Sequence, residues 1–521
     1  MKQFLLGNEA IAQGALDAGL SGVYAYPGTP STEITEYIQR SKTAIERNVH
    51  RKWSANEKTA YEEALGMVYA GKRAMVCMKH VGLNVAADPF MNSAVSGVNG
   101  GLLVVVADDP SMHSSQNEQD SRFFGKFAMI PILEPSNQQE AYDMTRYGFE
   151  LSEKFKIPVM LRTTTRLSHA RAIVELQEKI SENQLNPPPT SCSDFVLLPS
   201  NARGRYEHLL KLQEKLREQS DQSPFNEYVE GSDHSLGIIA CGIACNYLEE
   251  NVRKFNLKYP YLKIREYPAP KHQIARIFEE CEQILMLEEG YPMLEELIIG
   301  YFRKVKVIGR LSGEVPRTGE LNPFLVARSL RIELPESETT PELVENRPPR
   351  LCVGCGHADL FNELNVLTDH ILGRRIFSDI GCYTLGALPP FRAIDTCIDM
   401  GASITMAKGA SDAGVHPAIA VIGDSTFTHS GITGLLDAVY ENSNITVIIS
   451  DNSTTAMTGG QHSIATGKIA DICRGIGVEE AHLKVIIPLK KNLDENIAII
   501  QKEIDHKGVS VVIAQRPCIQ I

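Results

Sequence analysis

Two polar side chains near the end of the chain stand where buried strands should finish, and their types suit a divalent cation. Asp424 and Ser425 follow an apolar run that ends at Gly423, and Asn452 follows the apolar run 445–449. A carboxylate and an amide oxygen are hard ligands of the kind that Mg²⁺ takes. Gly423 would let a bound group approach the backbone closely, and free amides at the start of the next helix can hold phosphate oxygens. The pattern indicates a site for Mg²⁺ and a diphosphate.

The two motifs together are a stronger signal than either motif alone. Asp and Ser after a strand often do no more than cap a helix. A helical stretch at 433–440 lies between the two apolar runs, however, which predicts a right-handed βαβ unit. Both polar ends should then emerge at the carboxyl edge of one parallel sheet, where α/β folds bind ligands.

The same region contains a C-x-x-C pair and two more cysteines. Cys352 and Cys355 make a C-x-x-C pair, Cys382 follows 27 positions later, and Cys518 stands near the end. Soft thiolates select zinc or iron–sulfur over Mg²⁺, so the C-x-x-C pair could belong to a zinc site. A redox pair and coincidence remain alternatives for the C-x-x-C, and Cys382 and Cys518 could instead be small buried side chains. The other cysteines are interpreted as structural: Cys77, Cys192, Cys241, Cys245, Cys281, Cys397 and Cys473.

The elements that position these residues form three successive α/β blocks. Apolar strands that alternate with helices indicate parallel sheets covered on both faces. The expected strands are 23–26, 74–78, 102–107, 157–162, 236–242 and 283–289, with helices at 9–18 and 57–70. The predicted division is block 1–185, linker 186–233 with a bracing helix at 206–218, block 234–312, linker 313–349 and block 350–521. Three α/β blocks in succession are typical of a multidomain enzyme, and we expect its site to lie between blocks.

Composition narrows the class of protein. The 521 residues are 43% hydrophobic and 22% charged, which argues against pervasive disorder and against a disulfide-dense miniature scaffold. The net charge is −12 and no basic stripe is present, so nucleic acid is a poor candidate partner. The longest apolar run, 102–107, is too short to cross a bilayer, and the start lacks the apolar core of a signal peptide. We expect a cytoplasmic protein with reduced cysteines and no membrane partner.

The 28 positions between Asp424 and Asn452, together with the segment 456–461, make the region similar to the thiamine-diphosphate signature of the 2-oxoacid:ferredoxin oxidoreductases. The resemblance implies that the side chains of Asp424 and Asn452 and the backbone carbonyl of Thr454 bind Mg²⁺. It implies further cofactor contacts from Gly423, Ser425, Gly459, Gly460 and His357.

Thiamine diphosphate also needs an activating carboxylate on its pyrimidine ring. In related pyruvate oxidoreductases this glutamate precedes a glycine by nine positions, and Glu57 stands nine positions before Gly66. The resemblance therefore assigns this catalytic role to Glu57. The alternative is that Glu57 merely favours the start of a helix, with Glu62 and Glu63 in solvent.

The segment 26–32 resembles the part of the family that contacts substrate. The resemblance implies that the Thr29 hydroxyl donates to the 2-oxo acid, whereas an ordinary Pro/Gly turn before a Ser/Thr cap is the alternative. The segments 78–84 and 107–110 also resemble the family, which places them near the active cleft without a defined role. In cluster-bearing members, cysteines at the places of Cys352, Cys355, Cys382 and Cys518 hold one [4Fe–4S] cluster.

Nearly the whole chain resembles the α (large) subunits of the indolepyruvate:ferredoxin oxidoreductases. The implied fold is α/β, with pyrimidine-binding and diphosphate-binding domains flanking a transketolase-C-like domain. The implied reaction is oxidative decarboxylation of arylpyruvates to aryl-acetyl-CoA with reduction of ferredoxin, and the implied partner is a smaller γ-type (β) subunit that the coenzyme A site requires. The family's ferredoxin-like module is not found before Ile521, so electrons are expected to leave directly from the Cys352 cluster.

Two other functions compete with the oxidoreductase. A non-oxidative thiamine-diphosphate-dependent 2-oxoacid decarboxylase would need Glu57, Asp424 and Asn452 but no iron. A catalytically silent subunit would keep the fold only as a scaffold.

Overall fold

A computed structural model describes residues 1–185, 195–299, 306–333, 350–371, 375–397 and 399–520. These residues form two compact units, 1–338 and 339–521. Within the described residues, no helix is long and apolar enough to cross a membrane. Cys192 and parts of both predicted linkers, 186–194 and 334–349, lie outside the described residues.

The first unit is an α/β structure. Its strands are β1 (Lys2–Leu6), β2 (Gly22–Ala25), β3 (His50–Trp53), β4 (Ala74–Lys79), β5 (Leu102–Asp108), β6 (Ile132–Leu133), β7 (Val159–Thr164), β8 (Arg171–Glu175), β9 (Glu227–Val229), β10 (Gly237–Cys241), β11 (Tyr261–Ile264), β12 (Glu266–Tyr267), β13 (Gln283–Leu287) and β14 (Lys306–Ile308). Its helices are α1 (Gly7–Asp17), α2 (Thr32–Arg40), α3 (Lys42–Glu46), α4 (Glu57–Tyr69), α5 (His80–Val85), α6 (Ala87–Ser96), α7 (Arg122–Ala128), α8 (Gln138–Phe155), α9 (Thr165–His169), α10 (Pro199–Asp221), α11 (Ala244–Phe255), α12 (Lys271–Glu280), α13 (Met293–Ile299) and α14 (Pro323–Ser329).

The main sheet of this unit has the spatial order β12-β6-β7-β5-β4-β2-β3, and β2 to β7 run parallel within it. Both of its faces are buried: Val104 and Val106 of β5 enter one core, and Leu103 and Val105 enter the other. Burial on both faces explains why this strand is a continuous apolar run in the sequence. A second sheet has the order β14-β13-β10-β11-β9, and β1 pairs with β8 in an antiparallel ribbon.

The predicted bracing helix is present and is longer than the sequence pattern indicated. It extends from Pro199 to Asp221 and buries Leu209, Leu212 and Leu216 against the rest of the first unit. The strand β12, which comes from the predicted block 234–312, pairs antiparallel with β6 of the main sheet. The first two predicted blocks therefore share a sheet, and the division between them stays a prediction about sequence segments.

Two fully buried arginines connect the main sheet to the second sheet. Arg122 donates to the carboxylate of Asp120 at 2.5 Å and to that of Glu288 at 2.9 Å. Arg162 donates to Asp108 at 2.7 Å and to the Glu289 carbonyl at 3.0 Å, and it also contacts Glu134. The surrounding carboxylates raise the pKa of both guanidinium groups, so the arginines stay charged. Removing one member of such a network leaves a buried charge unpaired, which costs about 3–5 kcal/mol.

The second unit is built on one parallel sheet of order β15-β16-β17-β21-β20, with a small β18-β19 ribbon. Its strands are β15 (Arg375–Ser378), β16 (Ala418–Gly423), β17 (Ile445–Asp451), β18 (Thr454–Thr455), β19 (Gln461–His462), β20 (Leu483–Ile486) and β21 (Val509–Gln515). Its helices are α15 (Gly356–Thr368), α16 (Ala402–Asp412), α17 (Asp424–Thr426), α18 (Ile432–Tyr440), α19 (Ile469–Ile476) and α20 (Leu493–Ile504), with a π turn at Phe427–Gly431.

Candidate functional site

The carboxyl edge of the main sheet in the first unit gathers the residues that the sequence singled out there. Strands β2, β3, β4 and β5 are parallel, so the segments that follow them share one edge of the sheet. Thr29 follows β2, Glu57 follows β3, Lys79 ends β4 and Asp108 ends β5. The structure thus brings both predicted catalytic residues to the same edge.

Glu57 is the buried member of the three glutamates near the start of α4. It begins the helix, and Asn56 caps the helix by accepting a hydrogen bond from the Thr59 amide at 2.8 Å. The Glu57 residue is only 5% exposed, whereas Glu62 and Glu63 are exposed. This burial distinguishes Glu57 from its neighbours, and its catalytic role stays a prediction.

Gly82 makes room for the Glu57 side chain. A Cβ atom at position 82 would lie 2.5 Å from Oε1 of Glu57 and 2.7 Å from its Cγ. Any larger residue on this turn of α5 would therefore have to displace the carboxylate. Sequence reasoning missed this contact, because the two residues are 25 positions apart and come from different helices.

We expect Gly82→Ala to move the Glu57 carboxylate and to lower turnover by about 10²-fold, the loss that misplacing a reacting group by about 1 Å can cause. Thiamine diphosphate should still bind. Gly66→Ala is the matched control, because a Cβ there has open space and alanine favours a helix. Steady-state kinetics and calorimetric titration of the cofactor measure the two effects. Equal activity of Gly82→Ala and Gly66→Ala would contradict the proposed contact.

Thr29 lies in a tight turn that connects β2 to α2. The Gly28 amide donates to Thr32 Oγ1 at 3.0 Å, and the Ser31 hydroxyl donates to the Gly28 carbonyl at 2.8 Å. Asn8 holds the turn from outside by donating to the Pro30 carbonyl at 2.6 Å. The segment is thus a well-supported turn at the sheet edge, and a Thr29 contact with substrate stays a prediction.

The second unit places Asp424 and Asn452 at the carboxyl edge of its own sheet. They follow the adjacent parallel strands β16 and β17, in which Gly423 is opposite Ser450. Asp424 is 2% exposed, and its Oδ2 atom has no hydrogen-bond partner among the described residues. Burial raises the pKa of Asp424 to about 7, and the nearby Asp451 adds to the effect. A buried carboxylate oxygen without a partner fits a bound cation.

The predicted neighbours of this carboxylate are near it in the fold. The Asn452 Oδ1 atom accepts from the Thr454 amide at 3.3 Å, and both residues are buried. Ser425 is hydrogen-bonded to Thr455 Oγ1 at 2.9 Å. Gly459 and Gly460 form part of the connection between β18 and β19, with φ angles of 124° and 88° that favour glycine.

Gly423 leaves room for a tyrosine side chain of the same unit. A Cβ atom at position 423 would lie 2.6 Å from Cε1 of Tyr383. The space beside Gly423 is therefore taken by an aromatic ring of the same unit, and a contact of Gly423 with a cofactor stays a prediction.

Asp379 and Tyr383 form a buried polar pair that sequence reasoning missed. The Tyr383 hydroxyl donates to the Asp379 carboxylate, which also accepts from Ser403 Oγ at 2.6 Å. Burial raises the pKa of Asp379 to about 6. Asp379 follows β15 as Asp424 follows β16, so the same search for a polar residue after a strand could have found it, had the short run 375–378 been recognised as a strand.

The structure brings the four predicted ligand cysteines together. They line one cavity of about 110 Å³ that Asn452 also lines: Cys352, Cys355, Cys382 and Cys518. Burial raises the pKa of Cys382 to about 11, and the other three thiols raise it further. Among the described residues, no three His, Cys, Asp or Glu side chains form a group that could hold a metal ion. The four thiols share the lining of one cavity, and a cluster bound to them stays a prediction.

Neighbouring groups hold this cysteine loop in place. Arg516 donates to the Gly354 carbonyl and to the Asp359 carboxylate, at 2.9 and 2.6 Å. The His357 Nδ1 atom lies 3.2 Å from Cys355 Sγ, and its ring stacks on Tyr383. Burial lowers the pKa of His357 to about 4, so this imidazole is neutral near pH 7.

Two protein families match the chain, one in each of the two units. A family described as pyruvate flavodoxin/ferredoxin oxidoreductase, thiamine-diphosphate-binding, matches residues 13–194, and the C-terminal binding domain of thiamine pyrophosphate enzymes matches residues 379–514. A 2-oxoglutarate:ferredoxin oxidoreductase from Magnetococcus marinus, solved with 2-oxoglutarate, coenzyme A and succinyl-CoA bound, is similar in fold, with a TM-score of 0.50 and 18% identity over 63% of this chain and 65% of that chain. The predicted α/β fold is thereby confirmed.

Curated relatives cover almost the whole chain. The indolepyruvate oxidoreductase subunit IorA of Archaeoglobus fulgidus is 41% identical over 99% of this chain and 86% of the relative. The subunit of the same name from Pyrococcus horikoshii is 40% identical over the same shares. A 2-oxoglutarate synthase subunit KorA from Methanothermobacter marburgensis is 22% identical over 61% of this chain and 96% of the relative. The chain therefore belongs to the family of the indolepyruvate oxidoreductase IorA subunits, and it is a thiamine-diphosphate-dependent 2-oxoacid:ferredoxin oxidoreductase.

Proposed function

We propose that this chain oxidatively decarboxylates arylpyruvates, such as indolepyruvate and phenylpyruvate, to aryl-acetyl-CoA. Ferredoxin accepts the electrons, and a smaller γ-type (β) subunit completes the enzyme. The names of the 36–41% identical relatives support indolepyruvate as substrate and a partner subunit. The observation that carries the chemistry is the buried Asp424 carboxylate near Asn452. Its Oδ2 atom has no hydrogen-bond partner among the described residues, which fits a bound cation. Ten free cysteines in the described residues favour a reducing compartment, and we place the enzyme in the cytoplasm.

The residues fit Mg²⁺ and thiamine diphosphate. The Asp424 and Asn452 side chains and the Thr454 carbonyl would hold the metal, and the amides at the start of the helical segment 424–440 would hold phosphate oxygens. When bound, the cofactor supplies a carbon nucleophile for the carbonyl of the 2-oxo acid. Glu57 would hydrogen-bond the pyrimidine ring, and its burial would keep competing water away from this bond. Thr29 orients the 2-oxo group from the neighbouring turn.

The thiols of Cys352, Cys355, Cys382 and Cys518 fit a [4Fe–4S] cluster, which would accept electrons one at a time. The cavity that they line includes Asn452, and the Cys518 amide donates to the Asn452 carbonyl at 3.1 Å. The cysteines and the proposed metal ligand are thus neighbours in one unit. This proximity favours the oxidoreductase over a decarboxylase, which would have no use for an electron acceptor there.

We expect Cys518→Ala to remove most of the bound iron and the brown absorbance, because a cluster that loses one of four thiolates is no longer held. Cys397→Ala is the matched control, since Cys397 is a half-buried thiol of the same unit that does not line the cavity. Iron analysis and visible spectroscopy, on protein purified without oxygen, measure the effect. Unchanged iron in Cys518→Ala would exclude Cys518 from the ligands.

An activity assay tests the proposed function. The chain, alone and with its partner subunit, is given coenzyme A, a viologen dye and one of indolepyruvate, phenylpyruvate, pyruvate or 2-oxoglutarate. We expect dye reduction to be fastest with the two arylpyruvates and to require the partner. Faster reduction with pyruvate or 2-oxoglutarate would overturn the arylpyruvate proposal.

The two competing functions give different results in binding and spectroscopic measurements. A 2-oxoacid decarboxylase would release CO₂ without reducing the dye and would contain no iron. A silent scaffold would bind no thiamine diphosphate in a calorimetric titration with Mg²⁺. About four irons per chain together with Mg²⁺-dependent cofactor binding would exclude both.

A further inference from the structure

Lys79 is a buried cation at the carboxyl edge of the main sheet. It is the last residue of β4 and is 8% exposed. Its Nζ atom donates to the Ser114 carbonyl at 2.6 Å, and it forms no ion pair within 4.0 Å in the part of the chain that the structure describes. An ammonium group that is removed from water without a counter-ion is costly to bury. The position therefore calls for an anion that the described residues do not supply.

The acidic residue that acts electrostatically on Lys79 is Asp109, and its carboxylate already has hydrogen-bond partners. Asp109 follows β5, and its carboxylate accepts from the Ser114 amide at 2.8 Å, from Ser115 Oγ at 2.5 Å and from Thr165 Oγ1 at 2.6 Å. Asp109 thereby fixes the loop that follows it. Burial lowers the pKa of Lys79 to about 8, and Asp109 offsets this only in part.

Lys79 lies near the segments that carry the two residues used by the proposed function in this unit. A Cβ atom at Gly28, next to Thr29, would lie 3.3 Å from the Lys79 Cβ. Three positions beyond Lys79, Gly82 contacts the side chain of Glu57. An anion held at Lys79 would therefore lie at the sheet edge that carries both the proposed substrate contact and the proposed activating carboxylate.

We propose that the ammonium group of Lys79 binds the carboxylate of the 2-oxo acid substrate. This inference rests on the proposed function. Every 2-oxo acid carries one carboxylate directly beside the reacting carbonyl, so the ion pair would direct that carbonyl toward Thr29. The carboxylate leaves as neutral CO₂, so the ion pair weakens along the reaction. Lys79 should consequently contribute to KM more than to kcat.

A structural role for Lys79 is the competing explanation. Through the Ser114 carbonyl, Lys79 could simply tether the loop after Asp109. Lys79→Gln separates the two roles, because the amide keeps an N–H donor for the carbonyl but loses the charge. Lys79→Arg keeps the charge. Lys72→Gln is the matched control: Lys72 precedes the opposite end of β4 and is paired with Glu182.

The experiment uses the cofactor-loaded complex and two unreactive ligands. 3-Phenylpropionate has the carboxylate of phenylpyruvate without the 2-oxo group, and 3-phenylpropanamide is its neutral counterpart. Calorimetry measures both dissociation constants. We expect the wild type, Lys79→Arg and Lys72→Gln to bind the acid at least tenfold more tightly than the amide, and Lys79→Gln to lose this preference. The KM for phenylpyruvate should rise about tenfold or more in Lys79→Gln, with kcat changed by less than threefold.

Each alternative outcome has a defined meaning. A preference for the acid that survives in Lys79→Gln, or that is absent from the wild type, overturns the inference. Equal weakening of acid and amide binding in Lys79→Gln shows a structural role and also overturns it. Failure of the wild type to turn over any 2-oxo acid would instead overturn the proposed function, which the viologen assay measures independently of this comparison.

Discussion

Glu57→Gln is expected to abolish turnover while thiamine diphosphate stays bound. The amide nearly matches the carboxylate in shape, so it should fit beside Gly82. It cannot supply the negative charge that stabilises the reactive tautomer of the pyrimidine ring. Removing a positioned acid–base group typically costs 10²–10⁴-fold in rate, and we expect about 10³-fold or more here. Viologen reduction measures turnover, and calorimetry measures cofactor affinity.

The control for this change is another glutamate of the same helix. Glu62 is exposed and paired with Lys58, so Glu62→Gln should leave both turnover and cofactor binding within about twofold of the wild type. Undiminished turnover in Glu57→Gln would refute the assignment. Loss of cofactor binding in that variant would show that Glu57 holds the cofactor rather than activating it.

Asp424→Ala is expected to remove Mg²⁺ and thiamine diphosphate binding together. Asp424 carries the one full negative charge among the proposed ligands. Its Oδ2 atom has no hydrogen-bond partner among the described residues. Changing a residue that merely supports a metal ligand costs up to about 100-fold in affinity, so losing the charged ligand should cost at least that. Asp437→Asn, on the exposed side of α18, is the control and should bind normally. Normal cofactor affinity in Asp424→Ala would exclude it as a ligand.

The same carboxylate predicts how cofactor binding depends on pH. Burial raises the pKa of Asp424 to about 7 in the metal-free protein, so a proton competes with Mg²⁺ for its oxygens. Above about pH 7 the group is ionised and affinity should level off. Below that pH, the Mg²⁺-dependent affinity should fall by up to about tenfold for each pH unit. Titrations from pH 5.5 to 8.5 in the wild type measure this slope, and a flat profile would contradict it.

The parallel strands could be predicted because burial on both faces makes them apolar runs. The expected strand 102–107 is Leu102–Asp108 in the structure, and the expected helix 57–70 is Glu57–Tyr69. Parallel strands end at one edge, so the positions that follow them could be grouped without knowing any contact. That argument placed Asp424 beside Asn452, and the structure confirms their placement.

Contacts between distant segments could not be predicted in this way. Arg122 and Arg162 are charged residues that a pattern assigns to the surface, and only the fold shows that carboxylates from several segments surround them. The helix expected at 433–440 begins nine positions earlier, at Asp424, because a π turn continues it. In the sequence, Lys79 stands out only as part of the segment 78–84, which resembles the family. Its lack of an ion-pair partner among the described residues becomes visible only in the fold.

The pairing of β12 with β6 limits how this protein can be dissected. A fragment that stops before residue 234 would lack β12, so the hydrogen-bonding groups along one side of β6 would be unpaired. It would also lack Glu288, an ion-pair partner of Arg122. An unpaired strand edge of this kind can form hydrogen bonds with other chains, so such a fragment should aggregate rather than fold. Split versions of this enzyme would therefore have to keep β6, β12 and Glu288 on one piece.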